Sequence, residues 1–446
     1  VADCSASDLA LWQAASVGRN ALRAGGMDGR NAWRTRHSHV DGSRRMSVGP
    51  EKCAKAPAIR VGLLWHAANS GNLGVGALTF GNLALLRRAA AKAGFVPHFT
   101  VLGFADPGRP RYINEPDVEI FEIDRRAMMP GGGFGGALEK CDLICDIGGG
   151  DSFTDIYGPK RFAFLWLTKL LANMRHIPVI FSPQTIGPFT GMLYRRLAAI
   201  ALRRATIVYA RDPSSAEAAR ALAPSATVRQ AVDVAFAMPF SRTRLPRGRT
   251  HIGINVSGLL FNSGYDGRNS FGLSIDYPVF IRSLLERLTA DNRFQIHLIA
   301  HVNSENIPAD DDGRVADLLA YEFPKTVRVP DFADPVEAKG FISGLDALVA
   351  ARMHACIAAY SCGVATIPVA YSRKFAGLFG GALRYPHMVP VTGMTTAEAV
   401  DYVMDRIAHR EALAADITTG LRAVESLLDG YVDTLAEAMA AAKQKS

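Results

Sequence analysis

Arg352 and His354 stand two residues apart, where the apolar run "DALVAA" gives way to the helix-like "HACIAAYSCG". An arginine that finishes an apolar strand asks for an anion, because its planar fork matches a carboxylate or a phosphate. A histidine beside it can carry a proton near neutral pH, and a helix start adds partial positive charge. Tyr371, Ser372, Arg373 and Lys374 end the next apolar run and bring further positive charge. These residues read as half of an anion site. Arg352, Ser372, Arg373 and Lys374 hold the ligand, and His354 moves a proton.

The other half lies far upstream. "DIGGGDSFTD" sets three glycines before Asp151, Ser152, Thr154 and Asp155. Carboxylates and hydroxyls suit sugar hydroxyls, and a carboxylate can serve as general base on one. Asp151 and Asp155 are the candidate bases, and Gly149, Gly150 and Ser152 the groups that hold a sugar. The first apolar run, "IRVGLLWH", is followed by Asn69, Gly71, Asn72, Gly74 and Gly76. Such glycines let backbone N–H groups approach a ligand, or simply make a tight strand-to-helix turn. They fit neither the dinucleotide fingerprint nor the Walker loop. Gln184 in "SPQTIGPF", Asn255 and Ser257 in "GINVSG" and His301 in "LIAHV" fall at the ends of other apolar runs. Arg211 ends "YARD" and needs a carboxylate or phosphate partner, while Asp212 before Pro213 reads as a helix cap. "PADDDGR" has three acids but no calcium-loop pattern, and reads mainly as solvated.

These positions need a scaffold that brings strand ends together. From Arg60 onward, short apolar runs alternate with helix-period segments, which argues parallel sheets covered on both faces. In such sheets ligands bind beyond the carboxyl ends of the strands. The alternation pauses at a Pro- and Arg-rich stretch and then restarts. The reading is α/β, with two doubly wound Rossmann-like domains at 58–238 and 251–410 facing a cleft, a linker at 239–250 and closing helices at 411–446. Residues 1–57 lack periodic apolar pattern and read as a disordered extension, with Met46 the expected start of translation.

Composition narrows the function classes. The chain has 446 residues, about half of them hydrophobic, and a net charge of +8. No stretch approaches the roughly 18 unbroken apolar residues of a membrane span, and "RFAFLWLTKLLANM" is broken by Lys169. A cytoplasmic protein is expected, and peripheral contact with an anionic membrane surface is compatible with the charge. No dense basic run or zinc pattern points to nucleic acid. The six cysteines, Cys4, Cys53, Cys141, Cys145, Cys356 and Cys362, include no CxxC. They read as buried thiols.

"GNLGVGA", "DLICDIGGGDSFTD", "FSPQTIGPF", "YARD", "DVAF", "HIGINVSG", "LIAHV" and "ARMHACIAAYSCGVATIPVAYSRKF", in this order, resemble the polysaccharide pyruvyl transferase family. The resemblance covers roughly 60–385. It implies a fold similar to GT-B glycosyltransferases and transfer of pyruvate from phosphoenolpyruvate to a saccharide, free or lipid-linked, as a ketal in cell-surface polysaccharide synthesis. The family's Arg-x-His element falls on Arg352 and His354, its following lysine on Lys374, its Arg-Asp on Arg211 and Asp212, and its glycine-acid turn on 148–155. The chain departs from the family at Val75, where many members have an acid, and at Ser372–Arg373, where they have Asp-Pro. Both departures bear on the acceptor more than on the donor. The chemistry demands no metal and no cofactor. Two other readings stand beside this one: a nucleotide-sugar glycosyltransferase, against which the acid-free helix from His354 counts, and a non-catalytic carbohydrate- or anion-binding homologue.

Overall fold

Short Val-, Ile- and Leu-rich runs bounded by glycine or polar residues form twelve strands among the described residues. The computed structural model describes residues 56–444 apart from 152, 265–267 and 270. The expectations for the N-terminal extension, Met46, Cys4, Cys53 and Ser152 therefore lie outside the described residues. In the first half, β1 (Ala58–Leu64), α1 (Leu73–Ala93), β2 (Val96–Gly103), β3 (Val118–Glu122), α2 (Phe134–Glu139) and β4 (Leu143–Asp146) are followed by α3 (Pro159–Met174), β5 (Val179–Gln184), α4 (Met192–Arg204), β6 (Ile207–Ala210), α5 (Pro213–Leu222) and β7 (Val228–Gln230). The second half runs β8 (Thr250–Asn255), α6 (Gly258–Phe261), α7 (Tyr277–Ala290), β9 (Phe294–Ile299), α8 (Asp312–Glu322), β10 (Val327–Arg328), α9 (Pro335–Ile342), β11 (Ala347–Ala350), α10 (Met353–Ser361) and β12 (Ala365–Pro368). A short α11 (Arg373–Phe375), α12 (Thr396–Ala408) and α13 (Arg410–Gln444) complete the chain.

Both sheets are parallel. Their strand orders are β3-β2-β1-β4-β5-β6-β7 and β10-β9-β8-β11-β12. Each order reverses direction once, between β1 and β4 in the first sheet and between β8 and β11 in the second. At such switch points neighbouring crossovers leave on opposite faces and open a crevice at the strand ends. Asn69 and Asn72, Asp151, Asn255, and Arg352 with His354 lie at or just beyond the ends of these four strands.

The two halves are closely joined. The Leu73 N–H donates to the His301 carbonyl at 3.2 Å, the Asn303 N–H donates to the Gly71 carbonyl at 3.1 Å, and Asn72 forms a bridge with Val302. The closing segment is a 35-residue helix, α13, that returns to the first half. Its buried Tyr431 hydroxyl lies within hydrogen-bond distance of Ser182 Oγ at 2.9 Å and Asn82 Oδ1 at 3.2 Å, and Lys443 pairs with Asp142.

Burial of Phe134 and Leu138 draws 134–139 into a helical turn. Cys141 immediately precedes the short loop into β4, where the Asp142 carboxylate accepts the Arg60 N–H at 2.8 Å. Cys141, Cys145 and Cys356 are buried free thiols, and Cys362 is partly exposed.

Candidate active site

Arg352 is the N-cap residue of α10, and its side chain does not cap the helix. Its backbone N–H is fixed instead by the buried Asn255 side chain, at 3.0 Å. Its guanidinium is held from one side. Nε reaches Asp312 Oδ1 and Oδ2 at 3.1 and 3.2 Å, and Nη2 reaches Asp312 Oδ1 at 2.6 Å and Asp310 Oδ1 at 2.7 Å. Burial disfavours the charge, but Asp312 and Asp310 outweigh it and hold Arg352 firmly protonated. Nη1 takes no part in this network. Among the described residues, no acceptor reaches the N–H groups of Met353, His354 or Ala355; Cys356 N–H bonds the Arg352 carbonyl. A nine-residue helix thus ends in unpaired amides beside a fixed guanidinium, an arrangement suited to an anion.

"PADDDGR" is not mainly solvated. Asp312 is fully buried and accepts the N–H groups of Gly258, His301 and Val302 at 2.9, 3.2 and 3.1 Å in addition to Arg352. This carboxylate joins α6, the segment after β9 and the Arg352 fork.

His354 follows on the same helix. Its ring lies against Gly74 of α1, where a Cβ would come within 2.3 Å of Nδ1. Its Nε2 is buried, has no hydrogen-bond partner, and stands 3.7 Å from Asp233 Oδ2. Asp233 is fully buried and receives Arg211 Nη1 at 2.7 Å and the Ala235 N–H at 2.9 Å. Burial raises the Asp233 carboxyl, but His354 and Arg211 prevail and hold it down at about 2. Its stabilising contribution is therefore complete above the ordinary carboxylate range near ~4 and is lost as pH falls through about 2. Nearby His301 is 3 % exposed, and burial, with the charges of His354 and Arg352, pushes it down to about 3, so it is neutral.

This geometry corrects several sequence expectations. Arg211 has the carboxylate partner it required, but that partner is Asp233; at 2 % exposure it backs His354 rather than binding donor. Asn255 positions Arg352, and its Nδ2 donates to the Ile299 and Val256 carbonyls at 3.0 and 3.5 Å, so its N–H groups are directed to the protein. Asn69 ties the loop after β2 through Asp106 and Arg109. Asn72 caps α1 through the Gly74 N–H at 3.0 Å. With Gly71 N–H on Asp106 and Leu73 N–H on His301, the first glycine loop spends these amides on protein acceptors. Its glycines serve close approach of the second half. Replacing Gly74 with alanine is expected to displace the His354 ring and lower kcat at least tenfold, with the substrate KM changed far less, as steady-state kinetics would show.

The glycine turn after β4 holds Gly148, Gly149 and Gly150 at φ 53°, 62° and 89°, which favours glycine at all three positions. Gln184 is fully buried beneath it and donates to the Asp146 carbonyl at 2.8 Å, so it is not at the rim. Asp155 Oδ2 receives Thr190 N–H, Thr190 Oγ1 and Gly191 N–H at 2.6, 2.9 and 3.0 Å. It anchors the loop before α4 rather than facing a sugar. Asp151 does face the cleft. It accepts the Tyr157 hydroxyl at 2.7 Å and pairs with Lys374 from the second half. Burial opposes its charge, but Lys374, Arg211 and Tyr157 hold it well below the usual carboxylate range. Arg373 donates across the cleft to the Gly187 carbonyl. Ser372 precedes α11 without a side-chain cap bond.

The structure therefore sets Arg352, His354 and His301 within reach of one another's charge, and pairs Asp151 with Lys374 beside Arg211. It adds Asp233, Asp310, Asp312 and Tyr157, which sequence reasoning did not single out as site residues. Asp233 had a signal, since "DVAF" follows a strand directly. No four-ligand or three-ligand cluster of His, Cys, Asp and Glu suited to a metal occurs among the described residues.

The sequence profile of the family described as polysaccharide pyruvyl transferase matches residues 72–373, most of the chain. Solved structures with the same architecture include a putative UDP-N-acetylglucosamine 2-epimerase from Listeria monocytogenes, 11 % identical with a TM-score of 0.50 over 81 % of this chain and 91 % of the other. They also include an α,α-trehalose-phosphate synthase (UDP-forming) from Burkholderia vietnamiensis, 11 % identical with a TM-score of 0.50 over 86 % and 98 %. Both are GT-B-type enzymes, and at this identity the likeness establishes fold alone. No curated protein matches the chain.

Proposed function

The chain belongs to the polysaccharide pyruvyl transferase family, and from that premise we propose that it moves the pyruvyl group of phosphoenolpyruvate onto two hydroxyls of a saccharide as a ketal. The observation that carries this reading is the fixed Arg352 fork beside the unpaired amides of α10, next to His354. Phosphoenolpyruvate bears a phosphate and a carboxylate. One anionic group would sit on the α10 amides and Arg352 Nη1. Lys374 would release Asp151 to meet the other.

His354 then protonates the methylene carbon of the donor, and the double bond becomes an oxocarbenium centre at C2. A sugar hydroxyl attacks that carbon and returns a proton to the imidazole of His354. The C2–O bond to phosphate breaks, a second hydroxyl attacks and its proton passes to the departing phosphate, and the products are the ketal and inorganic phosphate. Asp151, freed from Lys374 and still bonded by Tyr157, orients the attacking hydroxyl. Its strongly acidic character makes it a better acceptor of a hydrogen bond than a strong base.

Calorimetric titration with phosphoenolpyruvate tests the reading. Saturable binding is expected, with UDP- and GDP-sugars silent. Nucleotide-sugar binding without phosphoenolpyruvate binding would overturn it.

A further inference from the structure

We propose that the surface formed by the starts of α3 and α4 docks on an anionic lipid bilayer. From Ile156 to Arg211 the chain carries nine lysines and arginines and not one aspartate or glutamate, against 42 acids in 446 residues overall. Some of these cations are committed inward: Lys169 is buried against Asp146 at 3.1 Å, and Arg211 against Asp233. Lys160, Arg195 and Arg196 are exposed, and among the described residues no carboxylate pairs with them. Beside them stand large apolar side chains turned to solvent. Met192 is 66 % exposed, Leu193 64 % and Ile156 54 %.

These groups share a place in the fold. α3 follows β4 and α4 follows β5, so both helices start at the carboxyl edge of the first sheet, the edge that carries Asp151. Asp155 ties the two starts together through Thr190 and Gly191, which sets Ile156 and Met192 on either side of one anchor. Exposed apolar side chains flanked by unpaired cations are what an interfacial contact needs: the apolar groups enter the acyl boundary and the cations stay at the anionic headgroups. Nucleic acid would use the cations but has no place for Met192, Leu193 and Ile156. On the pyruvyl-transfer reading, this contact turns the acceptor side of the cleft toward a saccharide held at the bilayer.

The test is co-sedimentation of the full chain with vesicles of phosphatidylcholine alone and of phosphatidylcholine mixed with phosphatidylglycerol. Binding to the mixed vesicles, weakened by salt, is expected. The Arg195→Glu/Arg196→Glu variant should bind at least ~25-fold more weakly, about fivefold for each cation lost near the surface. Met192→Ser/Leu193→Ser should bind about tenfold more weakly and keep its salt dependence. Unchanged vesicle binding by the arginine variant would overturn the proposal by placing the attraction elsewhere. So would equal binding to both vesicle types, or binding to duplex DNA in place of vesicles. Phosphoenolpyruvate titration of the same variants, expected to match the parent, shows that they are folded and keeps a failure of docking distinct from a failure of the donor reading.

Discussion

Replacing Arg352 with alanine is expected to abolish phosphoenolpyruvate binding and to destabilise the protein by about 3–5 kcal/mol, the usual cost of removing one partner from a buried ion pair. The second effect follows from Asp312, which is fully buried, is pushed up by that burial, and would lose the guanidinium that chiefly favours its charge. A loss of activity in this variant alone would thus be ambiguous, and two further variants separate the causes. Arg352→Lys keeps a positive charge near Asp310 and Asp312 but not the planar fork, so most stability should survive while donor binding weakens at least ~10-fold. Arg352→Met combined with Asp312→Asn removes both charges. Unfolding in urea should then show part of the lost stability restored, because no uncompensated charge stays buried. Donor binding should remain absent in calorimetry. Recovery of phosphoenolpyruvate binding in that pair would show that Arg352 serves the fold and not the ligand.

The alternation of strands and helices was legible because the longer helices show their period and the central strands β4, β5 and β11 are buried along their whole length. Arg352 and His354 were legible for a related reason. Two polar groups at the end of an apolar strand have no packing purpose, so chemistry was the better explanation. Arg211 offered the same signal, yet its purpose is internal: the sequence shows that a carboxylate must exist but not which one, and Asp233 lies 22 residues away. Gln184 and Asp155 misled in the opposite direction. Gln184 ends β5 and is consumed by the Asp146 carbonyl at the end of β4, while Asp155, beyond the glycine turn, is consumed by the loop before α4. Asp312 was hidden by its neighbours, since three consecutive acids look solvated and only the three-dimensional fold reveals that one of them is turned inward. The glycines of "GNLGVGA" raised the same difficulty. A missing side chain leaves room for a ligand or for another part of the chain, and here His354 occupies the space at Gly74.

Substituting His354 with glutamine is expected to lower kcat by about 10²–10⁴-fold, the usual contribution of a proton-transfer residue, with phosphoenolpyruvate binding weakened far less. The role of Asp233 is separable from that of His354. Its Oδ2 lies 3.7 Å behind Nε2, near enough to stabilise the imidazolium but outside hydrogen-bond distance. Asp233→Asn removes that counter-charge and should lower kcat by roughly 10–100-fold, equivalent to about 1.4–2.7 kcal/mol in the barrier. It also leaves Arg211 buried without its partner, so lower stability alone would say nothing about catalysis. The division of the loss between kcat and KM distinguishes the two. If Asp233 steadies the imidazolium, Asp233→Asn lowers kcat with the phosphoenolpyruvate KM changed far less, and Asp233→Glu restores part of the loss. A purely structural Asp233 would lower the amount of folded enzyme and leave the turnover of the folded fraction in place. Unchanged kcat per folded enzyme would therefore remove Asp233 from the proton-transfer machinery, while His354→Gln would still report on His354 itself.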